Sequence, residues 1–125
     1  MGDTASMTDP RVTVLVACLC AAWCRTCDAY VETFQHLRTE FPTARFVWVD
    51  VEDHAALLDD LDVVDFPTLV IASGDRPLFA GPVLPQPAVA SQLIRTALAG
   101  GLSGTASMPP SVLHGLQQLA AVDAA

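Results

Sequence analysis

All four cysteines of the 125-residue chain lie in one short stretch, CLCAAWCRTC, at residues 18–27. Cys24 and Cys27 form a C-x-x-C pair, in which two thiols can be oxidised to a disulfide or can bind a metal ion. Cys18 and Cys20 stand two residues apart just before this pair, in an apolar segment. The four sulfurs are therefore compatible with a redox pair, a metal site, a lipid attachment or plain core packing.

The position of the C-x-x-C pair favours redox chemistry. A continuously apolar, β-branched segment typical of a buried strand precedes it, and helical periodicity begins at Cys24. The free N–H groups and the dipole at a helix N-terminus favour an anion, and Arg25 adds a positive charge, so Cys24 is predicted to be the reactive thiolate. Cys27 follows one helical turn later, where it could attack a mixed disulfide formed on Cys24.

Other uses of the cysteines are also open. The spacing C-x-C-x3-C-x2-C offers four thiolates to zinc or an iron–sulfur cluster, although zinc sites usually combine two well-separated C-x-x-C pairs. Leu15 to Cys18 is similar to the lipid-attachment box of a bacterial lipoprotein, but the basic start and long apolar stretch of a signal peptide do not precede it. Cys18 and Cys20 share one strand face, where Cys18 either packs as a small apolar residue or exchanges with the C-x-x-C pair.

The composition argues against several classes of partner. The chain has a net charge of −8 and only six Lys and Arg residues, so it lacks the basic surface that nucleic acids and anionic membranes attract. Its longest unbroken apolar run, Val14 to Cys24, is shorter than the roughly 20 residues of a membrane-spanning helix. Free thiols persist in the cytoplasm. We therefore expect a cytoplasmic protein without nucleic-acid or membrane partners.

The hydrophobic pattern predicts the order β-α-β-α-β-β-α, followed by an extra C-terminal helix. Strand–helix–strand alternation implies a parallel pair, and the late hairpin adds an antiparallel edge, which gives one mixed sheet with helices on both faces. The predicted strands are 12–20, 44–51, 68–72 and 78–83, and the predicted helices are 24–41, 52–63, 86–100 and 111–122. The predicted organisation is a flexible tail over 1–10, one domain over 11–100, and a linker with the last helix over 101–125.

Two motifs together resemble the thioredoxin family over about residues 12–98. They are WCRTC after a buried strand and DFPTLVI before the third strand, and SGDRPLFAG resembles the glycine-containing hairpin of that family. The resemblance implies a thioredoxin-like three-layer α/β/α sandwich. It also implies that Pro67 follows a cis peptide bond and faces the C-x-x-C pair.

The resemblance further implies a thiol–disulfide oxidoreductase that acts on protein disulfides. Cys24 would be the nucleophile and Cys27 the resolving thiol, with the Cys24–Cys27 disulfide as the redox centre and no other cofactor. A thioredoxin reductase or another thiol donor would supply electrons. The alternative is a thioredoxin-fold chaperone or protein-binding module without catalysis. The implied substrate groove is formed by Trp23, Phe66, Pro67 and Thr68, with the backbone of Phe66 pairing with the substrate.

The sequence departs from thioredoxin itself around the pair. Arg25 and Thr26 stand between the cysteines in place of Gly-Pro, and Cys18 stands where thioredoxins carry a buried Asp. Trp48 aligns roughly with the lysine that partners this Asp. Because only a short polar segment precedes the first predicted strand, we expect no counterpart of the first strand and helix of the family. We therefore expect Arg25, Thr26 and Cys18 to tune the reactivity of the thiolate.

Overall fold

The computed structural model describes residues 14–59, 61, 63, 65–74, 76–102, 106 and 108–124. The predicted tail over 1–10, the start of the first predicted strand and part of the predicted linker lie outside these residues. The described elements, in chain order, are β1 (Val14–Cys20), α1 (Arg25–Glu40), β2 (Arg45–Asp50), β3 (Thr68–Ser73), β4 (Arg76–Pro82), α2 (Pro87–Leu98) and α3 (Pro110–Ala124).

The strands form one sheet in the order β2-β1-β3-β4. β1 runs parallel to β2 and antiparallel to β3, and β3 and β4 form an antiparallel hairpin. Gly74 adopts a φ of 59° at this hairpin, a conformation that glycine reaches without steric cost. Every residue of β1 is buried, as expected for the apolar strand at the centre of a covered sheet. The predicted mixed sheet is confirmed.

Helices cover both faces of the sheet, so the predicted three-layer α/β/α architecture is also confirmed. Alternate residues of β1 face opposite layers, and each face has its own hydrophobic cluster. The helical core members on the first face are Cys27, Tyr30, Phe34 and Leu37 from α1 and Ala90, Ile94 and Ala97 from α2. Those on the second face are Val112, Leu113, Leu116 and Ala120 from α3. No helix among the described residues is long and apolar enough to cross a membrane.

The segment predicted as a helix over 52–63 instead forms successive turns over residues 51–59. The Asp50 carboxylate accepts hydrogen bonds from the backbone N–H groups of Glu52, at 2.8 Å, and Asp53, at 3.3 Å. An aspartate that binds its own downstream backbone offers an alternative to regular helix geometry. The apolar side chains of this segment still reach the core, because Leu58 is buried in the cluster beneath α3.

The C-terminal helix packs against the sheet and the turn segment. Gly115 of α3 lies so close to the side chain of Leu57 that an added Cβ atom would collide with it. The absence of a side chain at Gly115 therefore lets the turn segment approach the helix. Gln117 also donates a side-chain hydrogen bond to the backbone carbonyl of Gly74 in the β3–β4 turn.

Candidate active site

The junction between β1 and α1 presents the C-x-x-C pair as the sequence predicted. β1 ends at Cys20, and Cys24 is the N-cap residue of α1, with an extended backbone (φ −89°, ψ 119°). The N–H of Cys24 donates to the carbonyl of Ala21 at 3.0 Å, and its own carbonyl accepts from the N–H of Asp28 at 3.1 Å. These bonds hold the Cys24 side chain at the helix N-terminus.

The two cysteines of the pair differ in accessibility. Cys24 is partly buried, Arg25 and Thr26 beside it are exposed, and the side chain of Trp23 is 67% exposed. Cys27, in contrast, is only 2% exposed and belongs to the core beneath α1. A disulfide of another protein would therefore meet the sulfur of Cys24 first.

The disulfide in the structure differs from the predicted one. Cys20 is bonded to Cys27 across 5.8 Å between their Cα atoms, and the thiol of Cys24 is free. The physical reason is the packing of α1 on the sheet. Cys27, the third residue of this helix, points towards the sheet, and Cys20 at the end of β1 points towards the helix. Both sulfurs therefore lie in the same buried layer.

Cys18 lies in that layer as well. It is completely buried on the same strand face as Cys20, and the two Sγ atoms are 3.8 Å apart, so the predicted shared face is confirmed. In the β1–β2 register Cys18 stands opposite Trp48, which places the two departures from thioredoxin side by side. Burial raises the pKa of the Cys18 thiol far above its ordinary value of 9.0, so this thiol stays protonated at neutral pH.

Tyr30 contributes a second buried polar group to the layer behind the pair. Its side chain is 1% exposed, and its hydroxyl makes no hydrogen bond within the described structure. Burial, and then the nearby Cys18, raise the pKa of Tyr30 to about 12. In the sequence, Tyr30 is one of the residues that recur at helical spacing on the apolar face of α1. The structure shows that it brings a hydroxyl to the cysteine cluster.

We expect the free energy of unfolding to fall as the pH rises above about 9. Cys18 and Tyr30 have ordinary pKa values of 9.0 and 10.0 and raised values in the folded protein, so the unfolded chain releases their protons first. Below pH 9 both groups are protonated in both states, and the stabilisation is complete. Because Tyr30 is the single tyrosine, its tyrosinate absorbance can be titrated directly, in buffer and in urea. A midpoint near 10 in the folded protein would contradict this account.

A second loop meets the Cys24 loop at the same end of the sheet. The Phe66–Pro67 peptide bond is cis, as the sequence resemblance predicted. The rings of Trp23 and Phe66 contact edge to face, with centroids 5.6 Å apart. Thr68 stands opposite Leu19 in the antiparallel β1–β3 register, which brings the start of β3 beside the end of β1. The structure thus brings Phe66, beside the cis Pro67, into contact with Trp23, the residue before Cys24.

The arrangement suits exchange between sulfur atoms. From the surface inwards, the cluster presents the accessible thiol of Cys24, the buried Cys20–Cys27 disulfide and the buried thiol of Cys18. Among the described residues, no group of three or more His, Cys, Asp or Glu side chains is arranged to hold a metal ion. Thiol–disulfide exchange needs only a thiolate and a disulfide within reach.

Comparison with known proteins identifies the family. The thioredoxin family model matches residues 4–81, more than half of the chain. A thioredoxin of Mycoplasma genitalium is 37% identical over 51 residues, which are 41% of this chain and 50% of that protein, so the match spans half of this relative's length.

Solved structures agree on the fold. Thioredoxin from Trypanosoma brucei brucei has a TM-score of 0.64 and 23% identity, covering 79% of this chain and 87% of that one. A mutant thioredoxin from Halobacterium salinarum has a TM-score of 0.61 and 22% identity, covering 87% and 88% of the two chains. The chain belongs to the thioredoxin family.

Proposed function

We propose that this protein is a thiol–disulfide oxidoreductase that acts on disulfides of other proteins. The observation that carries this proposal is the accessible thiol of Cys24 at the N-terminus of α1, one helical turn from Cys27. The Cys20–Cys27 bond supports it, because it places Cys27 within disulfide-bonding distance of a second cysteine of the cluster. Membership of the thioredoxin family supports the same chemistry.

The proposed reaction transfers one disulfide in two exchanges. The thiolate of Cys24 attacks a sulfur of the substrate disulfide, which gives a mixed disulfide and releases one substrate thiolate. The thiolate of Cys27 then attacks the Cys24 sulfur and releases the second. The electrons pass only through sulfur atoms, so the reaction needs no organic cofactor. A thiol donor such as a thioredoxin reductase restores the dithiol, and a reducing cytoplasm would favour that state.

The loop around Pro67 is the proposed substrate contact. The paired rings of Trp23 and Phe66 form an apolar wall beside the Cys24 loop. The backbone of Phe66 precedes β3 and is proposed to pair with an extended substrate segment, a mode in which main-chain bonds give affinity. Arg25 and Thr26 directly follow Cys24 and are exposed, so they are proposed to contact the substrate and to tune the thiolate.

Replacing Trp23 by alanine should lower kcat/KM for a protein disulfide by about two- to twelvefold, because an aromatic contact contributes about 0.5–1.5 kcal/mol. The rate with oxidised glutathione should change much less, since that small disulfide does not need the apolar wall. Leu84→Ala is a matched control, because the side chain of Leu84 is 64% exposed, which is close to the exposure of Trp23. Equal losses with both substrates would argue against substrate binding by Trp23.

A protein-binding module is the second candidate, and one observation favours it. The buried Cys20–Cys27 disulfide joins β1 to α1 and could act purely as a structural cross-link. The groove near Pro67 would then bind extended peptides without sulfur exchange. Such a module would retain its partner reversibly and release no substrate thiols.

A single-turnover experiment with insulin distinguishes the two candidates. The protein is reduced, freed of reductant and mixed with an equal amount of insulin, and the reaction is quenched in acid at intervals. The oxidoreductase is expected to produce insulin thiols much faster than the same concentration of reduced glutathione. A rate equal to that of glutathione would contradict the proposed function and favour the binding module.

A further inference from the structure

We propose that Cys20 is a second disulfide partner of Cys27, to which the oxidised pair moves after substrate has reacted. This inference rests on the proposed function and adds a catalytic residue to it. In the dithiol–disulfide cycle outlined above, the disulfide forms at the surface between Cys24 and Cys27. In the structure the disulfide instead lies in the buried layer between α1 and the sheet, where it joins Cys20 to Cys27, and Cys24 is a free thiol.

Cys27 lies within reach of both partners. Cys24 caps α1 three positions before Cys27, and side chains at this spacing are neighbours on a helix. On the sheet side, the Cα atoms of Cys20 and Cys27 are 5.8 Å apart, within the usual range for disulfides of about 4.4–6.8 Å. Because a sulfur forms one disulfide at a time, Cys27 can be bonded to the surface partner or to the buried partner, but not to both.

The transfer is an internal exchange with no net oxidation. The Cys20 thiolate attacks the Cys27 sulfur of the Cys24–Cys27 disulfide. The bond between Cys20 and Cys27 forms, the bond between Cys24 and Cys27 breaks, and Cys24 leaves as a thiolate. The proton that Cys20 gives up is balanced by the proton that the Cys24 thiolate can accept. The two electrons taken from the protein remain with the substrate thiols.

The inner position protects the disulfide. Cys20 and Cys27 are 1% and 2% exposed, so an external thiol cannot approach either sulfur. Re-reduction then follows the reverse route, in which Cys24 attacks Cys27, Cys20 leaves, and the donor attacks the surface disulfide. The oxidised protein would therefore hold its disulfide until Cys24 reopens it.

Cys18 is the matched comparison within the same layer. It lies on the same face of β1 and its sulfur is 3.8 Å from that of Cys20, yet it is free. It is not bonded to Cys27 in the structure, so it is a sulfur of the same buried layer that lies outside the proposed pair. Cys18→Ala removes a buried sulfur of this layer but leaves Cys20, Cys24 and Cys27 in place.

The free Cys24 of the oxidised state has a measurable consequence. When the oxidised protein is treated with oxidised glutathione, Cys24 should retain one glutathionyl group, because Cys27 is engaged with Cys20 and cannot expel it. In Cys20→Ala, the oxidised pair is Cys24–Cys27 itself, so Cys24 is not a free thiol and no glutathionyl group should be retained. The mass of the intact protein reports both results.

The test maps the disulfide in wild-type protein. Reduced protein reacts with a limiting amount of insulin, so that no insulin disulfide remains to capture the freed Cys24 thiol. Acid then stops the exchange, one isotopic form of an alkylating reagent labels the free thiols, and the other form labels the remaining cysteines after reduction. Chymotrypsin cleaves after Leu19 and Trp23 and trypsin after Arg25, so the four cysteines fall on separate peptides. We expect the free-thiol label on Cys24 and Cys18 and the disulfide label on Cys20 and Cys27.

The outcomes separate this inference from the proposed function. If insulin thiols appear and the disulfide label lies on Cys24 and Cys27, the inner exchange is overturned and the oxidoreductase stands. If no insulin thiols appear, the proposed function fails, and the inference fails with it. Cys18→Ala should keep the wild-type pattern, whereas Cys20→Ala should lose the free-thiol label on Cys24. Retention of that label in Cys20→Ala would contradict the exchange.

Discussion

Replacing Cys24 by serine should lower the rate of protein-disulfide reduction by about a thousandfold or more, as expected for loss of a nucleophile. The reason is that Cys24 carries the accessible sulfur of the cluster. Cys20 and Cys27 are buried, and Cys18 is both buried and held protonated by its raised pKa. The rate is measured as insulin thiols released under single-turnover conditions.

The matched control for this prediction is Cys18→Ala. It removes another sulfur of the same ten-residue stretch, but one without access to solvent. Its rate should stay within a few-fold of wild type. A Cys24→Ser protein that still reduces insulin at the wild-type rate would show that another cysteine, or none, attacks the substrate.

Replacing Leu116 by alanine should lower the free energy of unfolding by about 2–5 kcal/mol. Leu116 of α3 is fully buried against the second face of the sheet. Its truncation leaves a cavity that the surrounding side chains fill only in part, and it weakens the attachment of the helix that covers this face. Urea unfolding, followed by the fluorescence of the two tryptophans, measures the change.

Leu84→Ala provides the control, because Leu84 is 64% exposed and its loss should cost less than about 0.5 kcal/mol. A Leu116→Ala protein with wild-type stability would mean that α3 contributes little to the domain. The ratio of the two effects matters more than either value, since the same chemical change is made at both positions.

Much of the fold could be predicted from the sequence because its pattern is strong. The β-branched, apolar run of β1 favours a buried strand, and the spacing of Tyr30, Phe34 and Leu37 in α1 favours a helix. The turn chemistry at Gly74 likewise indicated the hairpin. The family motif predicted that the loop with Pro67 faces the cysteines. In the structure Phe66 of that loop contacts Trp23, although more than forty residues separate the two along the chain.

The segment after β2 shows where pattern reasoning failed. Its apolar residues recur at helical spacing, and its acidic start suits a helix N-terminus. The side chain of Asp50 nevertheless bonds to the next backbone N–H groups and favours turns. A hydrogen bond between one side chain and a nearby backbone leaves no trace in hydrophobic periodicity.

The disulfide pairing could not be derived from spacing either. Cys27 has Cys24 beside it along the helix and Cys20 across the layer, and both are close enough in sequence to pair. Which one lies nearer depends on how α1 sits on β1, which is set by core packing around Tyr30 and Phe34. The cluster and its shared strand face are visible in the sequence, whereas the partner of Cys27 is determined by packing in the core.

The most direct test of the central claim is to trap the mixed disulfide with insulin in Cys27→Ser. Without the resolving sulfur, the proposed mechanism stops after the first exchange. The account predicts a covalent complex that reducing agent releases, with its link mapped by mass spectrometry to Cys24. A Cys24→Ser, Cys27→Ser double variant should form none. A link at another cysteine, or no complex at all with a folded Cys27→Ser protein, would contradict the claim.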